Sequence, residues 1–322
     1  MKPYQVVFAG ALLLLPPAVR CQSKKKEQPA IAYTSHGVLY LATDSGKVLQ
    51  TFKTVQPIGT FAISANAEKV LFAPLGSSRE HYGGQLYLLA TRTGKARRIT
   101  RGPYYNKSRG SDEVYSDPDF SPRDRRAVFA IHAKSTGDLI EASGPFATED
   151  LVTGKVGILE SSLHVDSNGV AFANEPHWSP DGERILLNYE DGAELTDASG
   201  RTRQDLSSLM SNGEWTHALG WLGSRCIVYI AGKDYENAET RPPEVLNLGT
   251  RKTEPLSELL DIPENQVTGL VAFSSPLRVR KQDNHLLVET NQGRWSIPHA
   301  NEETKVRILP NFQNAEIPNA CR

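Results

Sequence analysis

Two short patterns of polar and apolar positions alternate along most of the chain. In the first, an aromatic or apolar residue leads into a polar turn and an apolar strand follows. Its fullest copy, Asn174-Glu175-Pro176-His177-Trp178-Ser179-Pro180-Asp181-Gly182-Glu183-Arg184-Ile185-Leu186-Leu187, lies over Ser116-Asp117-Pro118-Asp119-Phe120-Ser121-Pro122-Arg123-Asp124-Arg125-Arg126-Ala127-Val128-Phe129 almost without adjustment. Proline presets the turn's φ, Ser and Asp hydrogen-bond local backbone, and Gly tolerates a positive φ, so Trp178 should end one strand and Ile185 open the next. A degraded copy runs from Ile63 through Ser64-Ala65-Asn66 to Phe72, and weaker ones begin at Trp221 and Phe273.

The second pattern is an outer hairpin. Leu86-Tyr87-Leu88, then Thr93-Gly94-Lys95, then Arg98-Ile99 reads as strand, turn, strand. Its relatives turn at Ser45-Gly46-Lys47, Thr153-Gly154-Lys155, Ser199-Gly200-Arg201 and, less cleanly, Gly249-Thr250-Arg251. A sixth hairpin, without the glycine, runs from Arg294-Trp295-Ser296-Ile297 to Val306-Arg307-Ile308-Leu309. The two patterns interleave with one shared period of about 50 residues, the mark of a propeller blade of four short strands.

A blade cannot bury both of its faces alone, so blades must stack into a ring. The sequence therefore predicts an all-β, six-bladed propeller. Six outer hairpins are visible but only five inner strands. The missing one belongs to the first blade, whose remaining strands are Ile31-Ala32-Tyr33, Val38-Leu39-Tyr40-Leu41 and Val48-Leu49. The tail after Pro310 is the expected donor, which would close the ring and remove an exposed edge.

The Trp/Phe-Ser-Pro-Asp-Gly turn, the apolar strand after it and the Leu-Tyr-Leu…Thr-Gly-Lys hairpin resemble the TolB-type WD-like propeller repeat. The resemblance covers residues 30 to about 310, although only the Trp178 copy carries the full turn. It implies a six-bladed propeller exported to the bacterial periplasm. TolB itself also has a separate N-terminal α/β domain with no counterpart in this sequence, so the resemblance transfers the repeat and not TolB's partner.

The first residues stand outside the repeat. Lys2 precedes an apolar run from Val6 to Val19 that Pro16-Pro17 interrupts, too short to span a bilayer comfortably and of the form of a secretory signal peptide. The expected organisation is a signal over 1–23, a polar linker over 24–29 containing Lys24-Lys25-Lys26, and a single propeller domain over 30–322. Cys21 sits where a bacterial lipoprotein carries its lipidated cysteine, but Arg20 stands where a small residue is preferred. Lipidation of Cys21 and ordinary cleavage nearby, for example after Ser23, both remain open. Export permits a disulfide between Cys226 and Cys321, although Cys226 lies in an apolar run where a free thiol packs well, and the free thiol is the favoured reading.

Composition narrows the function. The 322 residues carry 36 basic and 37 acidic side chains, with a pI near 6.7, so no basic footprint for nucleic acid is present. Serine hydrolysis, found where such propellers are fused to prolyl-oligopeptidase catalytic domains, needs a Gly-x-Ser-x-Gly elbow that the sequence lacks. Metal-assisted chemistry is the stronger contender. Residues just before each inner strand should surround one mouth of the channel, and here they are Asp117, Asp119, Glu175, His177 and His217. The placement resembles that of oligogalacturonate lyases, which share the repeat and hold a divalent metal there with several histidines. Thr60, Ala62, Thr268 and Ala272 fill the corresponding places elsewhere, so the histidine set is incomplete. Turn capping and inter-blade hydrogen bonding by Asp117 and Glu175 is the favoured reading. The other histidines (His36, His81, His132, His164, His285 and His299) show no ligand spacing and read as surface or satisfied side chains.

Long connections at Gly76–Gly84, Gly102–Ser116 and Ala231–Pro243 carry Tyr82, Tyr104, Tyr105, Tyr115 and Tyr235 among Arg79, His81, Lys107 and Arg109. Tyrosine and arginine in exposed loops match interface composition. The sequence thus predicts an exported, monomeric binding scaffold for an envelope protein or small ligand, without cofactor. Asp117, Asp119, Glu175, His177, His217, Tyr104, Tyr105 and Tyr115 are its candidate site, and any membrane contact is through an N-terminal lipid. The alternative is a metal-dependent lyase or hydrolase at the channel mouth.

Overall fold

The computed structural model describes residues 27, 29, 31–43, 46–75, 84–104, 113–134, 140–159, 175–189, 192–210, 215–233, 242–260, 278–282, 285–290, 293–298, 306–308 and 318–322. Residues 1–23, expected to form the signal and including Cys21, lie outside the described residues, as do Tyr105 and Phe273.

The strands follow the two sequence patterns closely. They are β1 (Ile31–Ser35), β2 (Val38–Ala42), β3 (Val48–Phe52), β4 (Ile58–Ile63), β5 (Lys69–Pro74), β6 (Tyr87–Ala90), β7 (Lys95–Arg98) and β8 (Glu113–Phe120). Next come β9 (Arg126–Lys134), β10 (Ile140–Asp150), β11 (Val156–Leu159), β12 (His177–Trp178), β13 (Arg184–Tyr189), β14 (Gly192–Asp197) and β15 (Arg203–Asp205). A helical turn α1 (Ser207–Met210) leads to β16 (Trp215–Leu222), β17 (Cys226–Gly232), β18 (Glu244–Asn247) and β19 (Lys252–Pro255). After α2 (Leu256–Leu260) the chain forms β20 (Arg278–Gln282), β21 (His285–Thr290), β22 (Gly293–Pro298) and β23 (Val306–Ile308). A 3-10 turn at Asn319–Cys321 ends it.

Every pairing is antiparallel, and the sheets are consecutive in sequence: β4 to β7, β8 to β11, β12 to β15, β16 to β19, and a three-stranded β20-β21-β22. The remaining sheet has the order β23-β1-β2-β3. Its added strand corrects the expectation from sequence. Val306–Ile308 does not return along β22 as the outer arm of a sixth hairpin, and the strand does not come from beyond Pro310. It pairs instead with β1, as Ile31↔Ile308, Ala32↔Arg307 and Tyr33↔Val306. An exposed β1 edge finds backbone partners that way, the need that the sequence had assigned to the tail.

That tail goes elsewhere. Cys321 forms a disulfide with Cys226 at the start of β17, with Cα atoms 5.0 Å apart. The Arg225 N–H donates to the Cys321 carbonyl (3.2 Å) and the Asn247 side-chain amide to the Ala320 carbonyl (2.9 Å). The free thiol favoured from sequence is therefore incorrect. Both sulfurs are buried, as a packed thiol would be, and burial alone does not distinguish the two states.

Four apolar clusters are each shared by neighbouring sheets. Leu39 and Leu41 pack with Phe61 and Phe72, Leu71 and Leu86 with Phe129, and Leu195 with Trp221 and Ile227. Trp178 packs with Val128, Phe146, Ile185 and Tyr189 between the β8–β11 and β12–β15 sheets. It is 6% exposed, and the matched Phe120 and Trp221 are equally buried. Second strands such as β13 are buried almost throughout, whereas the outermost strand β7 is exposed at every residue.

The repeat is visible in its hydrogen bonds. Ser64, Ser121 and Ser179 each use their hydroxyl to accept the N–H five residues on, from Lys69, Arg126 and Arg184, at 2.9–3.0 Å. The left-handed position of that turn is filled by Ala67, Asp124 and Gly182 in successive sheets. Only one of these three copies places glycine there, which explains why the sequence signal degrades while the turn persists. In four sheets the first and third turns are also joined: the carbonyls of Glu68, Arg125, Glu183 and Arg225 accept from the N–H groups of Thr91, Leu151, Ala198 and Leu248.

Candidate functional site

The innermost strands carry an irregularity just before their aromatic anchor. Register shifts fall between Ile58 and Phe61 in β4, between Ser116 and Asp119 in β8, and between Ala218 and Gly220 in β16. In β8 the cause is local. Pro118 has no N–H to give the ladder, so the strand bulges there and Asp117 takes a φ of 47°, a conformation that aspartate tolerates better than most residues. The Asp117 N–H then turns to the neighbouring sheet and donates to Thr60 Oγ1 at 3.0 Å. Thr60 is the residue matched to Asp117 in the preceding repeat.

Asp119 makes the corresponding link forward. Its Oδ1 accepts the Phe120 N–H and its Oδ2 accepts the Trp178 N–H on β12, both at 2.8 Å. Both oxygens are therefore engaged by backbone, and the Trp178 bond crosses between sheets. Ser116, buried beside Asp117, contacts Asp117 Oδ2 at 2.7 Å and His132 Nε2 at 2.6 Å. Burial lowers the His132 pKa from 6.5 to about 4, so the ring is neutral at physiological pH.

Glu175, His177 and His217 form the second group. His177 Nε2 lies 3.9 Å from Glu175 Oε2. His217 stacks on Trp215 with ring centres 5.9 Å apart; burial lowers its pKa and the Glu175 carboxylate partly opposes that. Asn188, fully buried on β13, holds the backbone around these residues. It donates to the carbonyls of Glu175 (2.9 Å) and Ala218 (2.7 Å) and accepts the Ala218 N–H (3.2 Å). The Trp221 indole donates to the His177 carbonyl at 3.1 Å. Sequence reading missed Asn188, because an isolated asparagine in an apolar strand has no local signature.

Tyr115 is placed differently from the sequence expectation. It belongs to β8, not to a loop, and is fully buried against Phe129. Its hydroxyl donates to Glu113 Oε2 at 2.9 Å, which also accepts the Tyr104 N–H at 2.6 Å. Burial and the Glu113 charge both raise the Tyr115 pKa. Tyr104 is half-buried, its ring 5.6 Å from that of Tyr115. Its hydroxyl accepts the Arg101 N–H at 2.7 Å. Nearby Glu149 is 4% exposed, and burial raises its pKa from 4.5 to about 7 despite Arg97 and Arg101. Neither Glu113 nor Glu149 was singled out from sequence, where no neighbouring pattern marks a buried carboxylate.

The divalent metal expected under the enzymatic alternative finds no ready cradle. Among the described residues no group of three or more His, Cys, Asp or Glu side chains could hold a metal ion. Asp119 already binds two N–H groups, which leaves Glu175 with His177 and His217 as the nearest approach to a donor set. No helix among the described residues is long and apolar enough to cross a membrane.

No family model matches the sequence, and no curated protein does. Solved structures do share the fold. TolB from Acinetobacter baumannii is similar at 18% identity and a TM-score of 0.54, over 87% of this chain and 65% of that one. The chain thus spans just under two thirds of the TolB chain. A chain of a nidogen/laminin complex matches at 9% identity and a TM-score of 0.51, over 87% of this chain and 98% of the other. An oligogalacturonate lyase in complex with manganese matches at 12% identity and 0.52, covering 82% and 73%. These likenesses show a TolB-like β-propeller fold and nothing finer.

Proposed function

We propose that the chain is an exported six-bladed propeller that captures an envelope protein or small ligand on its mouth face and performs no chemistry of its own. The sheet β20-β21-β22 is the sixth blade in this reading, and β23 closes the ring through β1. The observation that carries it is the use made of the polar mouth residues. Asp117, Asp119, Asn188 and His177 link successive sheets through backbone groups, so the inner strands form a stiff frame for the connections above them. A rigid ring presenting a broad loop face suits partner binding. The chain of the nidogen/laminin complex that shares this fold was solved in a protein–protein complex.

Tyr104 and Tyr105 are the residues assigned to that face, and Glu113 ties the Tyr104 backbone to the Tyr115 hydroxyl. Export follows from the apolar segment Val6–Val19, with Cys21 as the lipid attachment point if the chain is tethered. Replacing Tyr104 and Tyr105 together by alanine should abolish capture of a partner from native envelope while the melting temperature changes little. Capture that survives the double substitution would overturn the site. Elemental analysis of the purified protein tests the metal-dependent alternative, for which Glu175, His177 and His217 would be the ligands. A stoichiometric divalent ion lost on His177→Ala would favour it.

A further inference from the structure

The face opposite the mouth carries an unbalanced charge. Turns of consecutive sheets meet there: Lys69 Nζ reaches the Asp124 carbonyl (3.4 Å), Arg97 Nη2 the Leu151 carbonyl (3.2 Å) and Arg126 Nη1 the Ala198 carbonyl (3.4 Å). The third-to-fourth-strand turn of each four-stranded sheet ends in an exposed cation, namely Lys47, Lys95, Lys155, Arg201 and Arg251. The densest part is β7 with its turn. Seven consecutive residues, 92–98, are exposed, and Arg92, Lys95, Arg97 and Arg98 among them form no ion pair with any described acid.

Asp150 and Asp197 on this face are engaged within the turns, whereas Glu68 and Glu183 stay exposed. Asp150 accepts the Val152 and Thr153 N–H groups (3.0 and 2.8 Å) as well as Arg125 Nε, and Asp197 accepts the Ser199 and Thr202 N–H groups. The whole chain has a formal charge of −1, so the concentration is local.

Two further observations decide what meets it. An apolar tip stands among the cations: Val152 is 79% exposed, and Arg97 bonds the carbonyl of the residue before it. The N-terminal chain also leaves from this side. Ile31 pairs with Ala42 beside the Lys47 turn, and Glu27 forms an ion pair with Lys47 at 2.7 Å. Sequence before Glu27 contains Lys24-Lys25-Lys26 and the apolar Val6–Val19 run.

We propose that this turn face docks on an anionic lipid surface, with the cations of β7 and its turn meeting headgroup phosphates and Val152 touching the interface. Basic side chains near such a surface attract it additively and are screened by salt, and an apolar residue among them favours a bilayer over a purely polar polyanion. The orientation leaves the mouth face turned outward for a partner. It goes beyond the binding role proposed above and does not depend on which partner is captured.

The test is sedimentation of the full-length chain with vesicles of phosphatidylcholine alone or with one third phosphatidylglycerol, at low salt and at high salt. The triple variant Arg92→Glu, Lys95→Glu and Arg98→Glu is the comparison, because none of these three side chains bonds within the fold and Arg97 is left in place. Wild type should prefer the anionic vesicles, and the triple variant should lose about 100-fold or more of that affinity, as should wild type at high salt. Binding to neutral vesicles, which reports the N-terminal apolar segment, should be unchanged. If the triple variant misfolds by circular dichroism, Arg98→Gln with Lys95→Gln should still lower the anionic preference about thirtyfold. An anionic preference equal in wild type and variant assigns the effect to Lys24-Lys25-Lys26 and overturns the proposal. Retention on an acidic polysaccharide without vesicle binding overturns it equally.

Discussion

The carboxylate of Asp119 accepts the backbone N–H of Trp178 at 2.8 Å, joining the innermost strands of two successive sheets. The same carboxylate accepts the Phe120 N–H, so one side chain satisfies a donor on each side of the seam. Asp119→Ala leaves both donors without that acceptor and should cost about 1–3 kcal/mol in urea unfolding. Asp119→Asn keeps one acceptor oxygen and should cost less. Equal effects of the two substitutions would show that the inter-sheet bond contributes little.

Trp178 fills the space between those sheets with Val128, Phe146 and Tyr189. Trp178→Ala should destabilise by about 3–5 kcal/mol, the range for large buried aromatics. Trp178→Phe should recover part of this, since the indole nitrogen has no hydrogen-bond partner to lose. A Trp178→Ala protein that melts like wild type would contradict the packing.

Glu149 and His132 should give the fold opposite responses to acid. Below 4.5 Glu149 is protonated in folded and unfolded chain alike. Between 4.5 and about 7 only the folded chain holds the proton, so stability falls as pH rises through that window. His132 behaves inversely: the unfolded chain takes up its proton below 6.5 and the folded chain not until about 4, so stability falls as pH drops between these values. Glu149→Gln should therefore raise the melting temperature at pH 8, by at most about 3 kcal/mol of stability, and have little effect at pH 4.5. His132→Gln, which keeps a polar atom near Ser116, should flatten the acid limb. Parallel pH–stability curves for wild type and both variants would refute these environments.

The Cys226–Cys321 disulfide closes a sequence separation of 95 residues that contains β18 to β23. It therefore encloses the strand that pairs with β1 through only three residue pairs. Cys321→Ser should lower stability by about 2–5 kcal/mol. Hydrogen exchange should then rise first at Ile31–Tyr33 and Val306–Ile308. Unchanged exchange at these strands would mean that the β1–β23 pairing holds without the covalent link.

The sequence by itself determined the repeating unit, because that unit is built from local chemistry. Ser179-Pro180-Asp181-Gly182 dictates a turn with no help from distant residues, and Thr93-Gly94-Lys95 places a positive φ where only a few residues accept it. Burial of Trp178 follows from the same period, since an aromatic at one fixed place in a stacked repeat must face its neighbour. Tertiary structure decided whatever depends on which segments meet. Val306–Ile308 reads equally well as an outer arm or a closing strand until β1 supplies the free edge. Cys226 packs as well oxidised as reduced until the tail brings Cys321 beside it. Asp119 carries the side chain of a metal ligand, and only the approach of the Trp178 N–H from the next sheet makes it a clasp. Tyr115 has the composition of an interface and the surroundings of a core residue, a distinction fixed by the extent of β8 and not by the residue type. Local turns are encoded within a few residues; partners across a seam are fixed only when neighbouring sheets pack.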